Sequence, residues 1–248
     1  MNKIALLTGI ALMSSVALSA QTDKAGMEYG ISAGFNIGGS SPLGLPAEIR
    51  HINSYSPTLN LSIGAQAVYM LSPAWGVGAG ITLETKGMNT GIDARNYHLT
   101  MNILQGDATG VKTGYFTGKI KNETKISYLT IPLYAQWRPF TRWTFNAGPY
   151  FAFALDRSFI GQVSDGKMRE DPLHPALGIQ KADYNYSDDI RKFDIGLTAG
   201  AAYRVYRALS IKAALQWGLL STLDPSRRKI DMNTYNIYLN LGVSYTFK

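Results

Sequence analysis

Eight stretches of this chain alternate between apolar and polar residues, and in all eight the apolar positions carry odd numbers. They are 29–37, 59–71, 75–85, 127–137, 143–155, 193–205, 209–219 and 235–247. Their 51 odd positions hold no charged residue, and only Thr85 and Ser127 are plainly polar. The even positions between them hold Asn60, Gln66, Glu84, Asn146, Asp194, Arg204, Lys212 and Asn240. In a chain that is 17% charged, composition alone would not keep one parity so clean. Successive side chains of a strand point to opposite faces, so each segment has one oily face and one wet face. Segments of about ten residues with this pattern, repeated around a closed sheet, are the signature of a transmembrane β-barrel. The pattern predicts an all-β fold, an eight-stranded antiparallel up-and-down transmembrane barrel with long extracellular loops.

The connections alternate in length. Residues 72–74, 139–142 and 206–208 are short turns, whereas 38–58, 86–126, 156–192 and 220–234 are long. Outer-membrane barrels keep short turns in the periplasm and long loops outside, so an even strand number places both termini in the periplasm. One long connection is ambiguous. Tyr97–Ile103 alternates again and Gln105–Gly110 is turn-like, which raises a ten-stranded barrel. The return segment 111–121 puts Thr113, Thr117 and Lys119 on one parity and Lys112 with glycines on the other, so neither face suits lipid. The expectation is an extra hairpin at 96–121 standing above the bilayer.

Aromatic residues mark the two edges of the oily band. Trp75, Trp137, Trp143, Tyr203, Tyr245 and Phe247 lie on the outward parity at one set of strand ends, and Phe35, Phe151, Phe153, Trp217 and Tyr235 lie toward the other. Such rings collect at headgroup level. A soluble sandwich would also bury one face, but would rarely keep charge off every inner position of eight long strands.

The chain opens with Met1-Asn2-Lys3, an apolar run from Ile4 to Leu18, and Ser19-Ala20 before Gln21. This reads as a secretory signal peptide over 1–20, followed by a short periplasmic segment, 21–27, and a barrel over 28–248. The run is shorter than the ~20 residues of a spanning helix. There is no cysteine, which excludes a disulfide framework, a lipid-modified cysteine and thiolate metal sites. The formal net charge is +7, and loss of Lys3 with a leader lowers it by one. Much of the excess falls in the long connections, at Lys112, Lys119, Lys121 and Arg227-Arg228-Lys229. In the outer membrane that charge points to lipid and anionic lipopolysaccharide or an acidic partner, or to ordinary solvated loops; nucleic acid is not an expected partner.

Eight strands enclose an interior just wide enough for side chains to fill. The mid-height inward residues include Gln66, Tyr134, Tyr150, Gln216, Tyr238 and Asn240, which are bulky, neutral and able to bond one another. Inward Gly64, Gly78, Gly80, Gly148, Gly196 and Gly200 leave room for the tyrosines to lie across neighbouring strands. Charges are expected near the mouths: Glu28, Arg138 and Arg204 at one end, Glu84, Lys86, Asp156 and Asp194 at the other. A polar plug follows from this reading.

No catalytic, cofactor or metal site is expected. His51, His98 and His174 all fall in long connections and in no metal-binding spacing, and calcium loops and phosphate-binding glycine loops are absent. A lipid-modifying barrel would need a strand-borne His near the outer leaflet, and none is expected. The most specific short motif lies at the end of the chain: Asn240, Gly242, Tyr245 and Phe247 resemble the β-signal read by the barrel-assembly machinery, with Lys248 as one extra residue.

Several segments together resemble the PorT-like outer-membrane β-barrel family of the Bacteroidota. They are Tyr128-Leu129-Thr130-Ile131-Pro132-Leu133 leading to Trp137-Arg138, then Ala147-Gly148-Pro149-Tyr150-Phe151, and Asp194-Ile195-Gly196-Leu197 to Gly200-Ala201-Ala202-Tyr203. Proline inside two strands, at 132 and 149, is uncommon and adds weight. The resemblance implies a small closed barrel of the outer membrane. One member serves a protein secretion system, but most have no assigned activity, so function carries over poorly. Two readings of the function remain. One is a non-enzymatic structural or accessory subunit that contacts protein partners through loops 38–58, 86–126 and 156–192. The other is a narrow porin-like solute channel.

Overall fold

The computed structural model describes residues 26–42, 49–103, 110–171, 175–224, 226 and 233–247. The leader expected at 1–20, most of the 21–27 segment, His174 and Arg227-Arg228-Lys229 lie outside the described residues. The strands are β1 (Met27–Pro42), β2 (Ile49–Pro57), β3 (Leu61–Met70), β4 (Trp75–Ile103), β5 (Gly110–Phe140), β6 (Trp143–Arg169), β7 (Leu177–Asn185), β8 (Phe193–Tyr206), β9 (Leu209–Gly218) and β10 (Thr234–Phe247).

Eight of them close an antiparallel ring in the order β1, β3, β4, β5, β6, β8, β9, β10 and back to β1. The register explains why one parity stays apolar. At every seam of the ring odd residues pair with odd: Ile31 with Ala65 and Tyr245, Ile63 with Leu83, Val77 with Ala135, Ile131 with Phe151, Ala147 with Ala199, and Leu215 with Ala199 and Leu239. A slip by one residue at any seam would turn a strand's oily face inward, so the alternation itself holds the register. The outward Leu61, Ile63, Val77, Ile81, Leu197 and Leu215 are all exposed, a continuous apolar exterior that needs an apolar solvent. Stacked and tilted rings girdle the end that carries the short turns. Trp75 lies 5.8 Å from Trp137, Trp137 5.8 Å from Phe145, Phe145 5.9 Å from Trp143, and Trp143 5.1 Å from Tyr203.

β4, β5 and β6 run to 29, 31 and 27 residues, far past the ~9–11 that a spanning strand needs. Their extensions carry β2 along Met88–Ala94 of β4, and β7 lies on upper β6 and meets the tip of β4 at Ile103. Together they build a four-stranded collar beyond the ring, with β2 on its flank. Its polarity is the reverse of the ring's. Leu99, Met101, Phe116, Ile120, Val163, Met168 and Ile179 are buried inside it, whereas Tyr115, Thr117, Lys119 and Lys121 face outward.

The expected hairpin at 96–121 is therefore the continuation of β4 and β5, and the ring has eight strands. Tyr97, Leu99 and Met101 have the odd numbers of lipid-facing residues but point inward. A bulge between Ala94 and Tyr97, with Asn96 at φ 54°, inserts the residue that changes the phase. A second register shift falls where Ser127 pairs with Asp156 and Tyr128 with Ala154, which leaves Leu155 as the extra residue on β6. Much of the 86–126 and 156–192 connections, expected as loops, is thus strand.

Candidate functional site

The ring's interior is the candidate site, and its centre is a buried polar network. Glu84 of β4 accepts from Asn36 Nδ2 at 3.0 Å and from Thr130 Oγ1 at 2.7 Å. Asn240 Nδ2 donates to Asn36 Oδ1 at 2.7 Å and to Ser62 Oγ at 2.8 Å, so β1, β3, β4, β5 and β10 are tied across the lumen. Lys86 lies one inward step above Glu84, with Nζ 3.4 Å from its Oε1 and only 1% of the residue exposed. Three tyrosine rings surround that ammonium: Tyr150 at 4.9 Å, Tyr128 at 5.4 Å and Tyr238 at 5.8 Å from their centroids. A desolvated ammonium over aromatic faces is attracted by their quadrupoles. On the far side of the cage, Asp194 accepts from the Tyr150 hydroxyl and from Asn236 Nδ2, both at 3.0 Å.

The glycines make this packing feasible. A Cβ at Gly196 would lie 2.5 Å from the Tyr150 ring, and one at Gly78 would lie 2.5 Å from the Tyr134 ring. Each tyrosine lies flat over a neighbouring strand only because that strand has no side chain there.

Above the network, the segments around 187–192 and 219–224 fold over the ring. Ile190 and Leu223 form an isolated bridge, Arg191 N donates to Thr222 O at 2.8 Å, and Arg157 Nη1 donates to Ile190 O. Tyr186 stitches this cover to the collar: its hydroxyl donates to Thr100 O at 2.7 Å and accepts from Thr100 N at 2.9 Å. Burial pushes the Tyr186 phenol up to about 12, and burial holds Tyr184 well above the usual tyrosine range.

Below the network the lumen opens toward the chain ends as a cavity of about 790 Å³. Arg138 spans it to Glu28, with Nη1 donating to Oε1 at 3.0 Å and Nη2 donating to Oε2. Arg204 and Lys212 also line it.

Of the six expected plug residues, Tyr134, Tyr150, Tyr238 and Asn240 are buried in the lumen. Tyr150, Tyr238 and Asn240 belong to the central network. Tyr134 sits lower, donating to Gln66 Oε1 at 3.3 Å. Gln216 also lines the lumen, and its buried Oε1 has no hydrogen-bond partner among the described residues. Glu84, Lys86 and Asp194, expected at a charged mouth, lie instead at the centre of the molecule. The reason is the collar: strands that continue past them, capped by Ile126, Phe159 and Ile190, turn what would be a rim into an interior. Lys86 is the main residue that sequence reasoning missed. The available signal was Glu84-x-Lys86, two opposite charges on the same inward face of one strand.

In the terminal motif, Asn240 points into the network, and Gly242 pairs with Gly34 where the two backbones leave no room for a Cβ. Tyr245 and Phe247 face outward with ring centroids 5.0 Å apart. His51 and His98 are exposed, and His98 packs edge-on against Tyr115 at 5.2 Å. Among the described residues no group of His, Asp and Glu is placed to hold a metal ion. The arrangement binds its own polar groups to one another across the lumen, which is a packing chemistry.

The family profile of the outer membrane protein beta-barrel domain matches residues 19–224. No curated protein matches the chain. Among solved structures, Ail, the attachment invasion locus protein of Yersinia pestis, is similar at 12% identity over 90% of this chain and 99% of that one, with a TM-score of 0.39. A major outer membrane protein from Thermus thermophilus is similar at 14% identity over 89% and 99%, with a TM-score of 0.38. OprG from Pseudomonas aeruginosa is similar at 14% identity over 90% and 97%, with a TM-score of 0.33.

Proposed function

This chain belongs to the outer membrane protein beta-barrel domain family, and from that premise we propose that it is a non-enzymatic barrel with a closed lumen, acting as a structural or accessory subunit of an outer-membrane assembly. The observation that carries this reading is the buried Lys86 ammonium, held between Glu84 and three tyrosine rings where a pore would need open water. Removing one partner of a buried charge pair leaves the other uncompensated, so the plug resists displacement. The same reading places both termini in the periplasm and the collar outside the cell. There its outward face, rich in Lys119, Lys121 and Lys125, meets lipopolysaccharide or a protein partner. The barrel-assembly machinery engages the Asn240–Phe247 strand during biogenesis. Membership of the narrower PorT-like group is part of the proposal and rests on Pro132, Pro149 and the segments around them.

Purified protein in planar bilayers tests closure. The expected result is no steady ionic conductance, with a leak appearing only when Tyr134, Tyr150 and Tyr238 are replaced together by Ala. Reproducible single-channel steps from the unmodified protein would overturn the closed reading and support a narrow solute channel.

A further inference from the structure

The cavity beneath the plug has unbalanced charge. Among the described residues, Arg138, Arg204, Arg207 and Lys212 line it against a single carboxylate, Glu28, and both oxygens of Glu28 accept from Arg138. Among the described residues, Arg204, Arg207 and Lys212 form no ion pair. Arg207 is placed at the rim, in the 206–209 turn, its guanidinium 5.2 Å from the Tyr206 ring.

Lys212 is the telling residue. It faces inward from the middle of β9, and its Nζ donates to Ser32 Oγ at 3.1 Å, a neutral partner. The β8–β9 register pairs Ala202 with Lys212 and Arg204 with Ser210, which makes Arg204 and Lys212 diagonal neighbours on one face. Side chains at that diagonal, roughly 7–8 Å apart at the backbone, still interact, and like charges there repel. A part-buried ammonium beside a guanidinium, with only the more distant Glu84 carboxylate of the network attracting it, is costly to hold in place. An anion would remove that cost. The hydroxyls of Ser210 and Ser244 on adjoining strands add further donors.

We infer that this vestibule is a binding site for a small oxyanion of two or three negative charges, a phosphate- or carboxylate-bearing molecule drawn from the compartment that the chain ends face. The cavity's size lies within the usual range of small-molecule sites. The closed-lumen reading enters only in making the site blind, so that the anion is held and not passed on.

Calorimetric titration of the full chain in uncharged detergent tests the inference, with pyrophosphate and citrate as probes and chloride as the control. Pyrophosphate, citrate or both should bind with one-site stoichiometry, and binding should weaken as salt screens the charges. The stronger of the two identifies the oxyanion class. Arg204→Gln and Lys212→Met should each weaken binding by about tenfold, Lys212→Arg should keep it, and Leu197→Ala on the ring's apolar exterior should leave it unchanged. Heat-dependent gel mobility verifies that each variant is folded, and the rim variant Arg204→Gln serves alone if Lys212→Met does not assemble. No saturable heat with either probe, or equal affinity in Arg204→Gln, would overturn the site. Conductance is read separately, so a channel with an anion site and a closed barrel without one give different results.

Discussion

The Lys86 ammonium lies 3.4 Å from the Glu84 carboxylate, two residues back on the same strand and the same inward face. Neighbouring even positions of a strand rarely carry opposite charges at a fully buried site. Here the pair is supported on both sides, with Asn36 and Thr130 donating to Glu84 and tyrosine faces around Lys86.

Breaking that pair should damage the barrel more than removing it. Lys86→Met leaves the Glu84 carboxylate unpaired and should cost about 3–5 kcal/mol. Adding Glu84→Gln, which keeps a side chain able to bond Asn36 and Thr130, should restore part of the loss. Urea unfolding from lipid vesicles measures the cycle. A double variant as unstable as the sum of the singles would show that the two groups do not interact.

Tolerance of charge should follow parity on β8. Ala199 faces outward between Ala147 and Leu215, and Ala199→Arg should cost roughly 2–4 kcal/mol near mid-bilayer. Thr198→Asn, one residue away and inward, should be tolerated. The same vesicle unfolding assay decides, and equal losses would contradict the register.

Gly196 should accept no larger residue. A Cβ there meets the Tyr150 ring at 2.5 Å, so Gly196→Val should destabilise by about 1–3 kcal/mol through overpacking. Tyr150→Ala in the same chain should relieve only part of the clash, because the Trp217 backbone carbonyl lies nearer still to that Cβ. A Gly196→Val protein with unchanged unfolding would contradict the close approach of both the Trp217 carbonyl and the Tyr150 ring to Gly196.

The contrast between these sites shows what was legible in the sequence. The ring could be read because lipid and lumen demand opposite chemistry on alternate residues over eight segments, with odd paired to odd at every seam. The collar could not be read the same way. Its interior is apolar and its exterior polar, and the shift at Ala94–Tyr97 moves Leu99 and Met101 to the inside while they keep odd numbers. Periodicity without the bulge makes that segment resemble a lipid-facing strand. Lys86 was misplaced for a related reason: a charge near a strand's expected end reads as a rim residue until the strand is known to continue. The lumen tyrosines were identified by parity, but which of them touch depends on stagger between strands, and alternation carries no record of stagger.

The collar should loosen independently of the ring. Leu99→Ala removes a fully buried side chain from its core and should cost about 2–5 kcal/mol locally. Trypsin should then cut faster at Lys112, Lys119 or Lys121 while the heat-dependent mobility of the barrel is retained. Loss of both together would mean that ring and collar unfold as one unit.

The bulge at Asn96 works like a frameshift written in geometry. Downstream of it the two-letter alternation is read in the other frame, so the collar's interior is lined by even-numbered residues as far as Ala94 and by odd-numbered ones from Tyr97. Deleting that residue would change no composition and remove little bulk. It would present Leu99 and Met101 to solvent and press His98 and Thr100 into an oily interior. The lesion would be polar in the genetic sense, sparing everything before it and garbling everything after it up to the hairpin tip. Selection on such a strand acts on residue count as strongly as on residue identity.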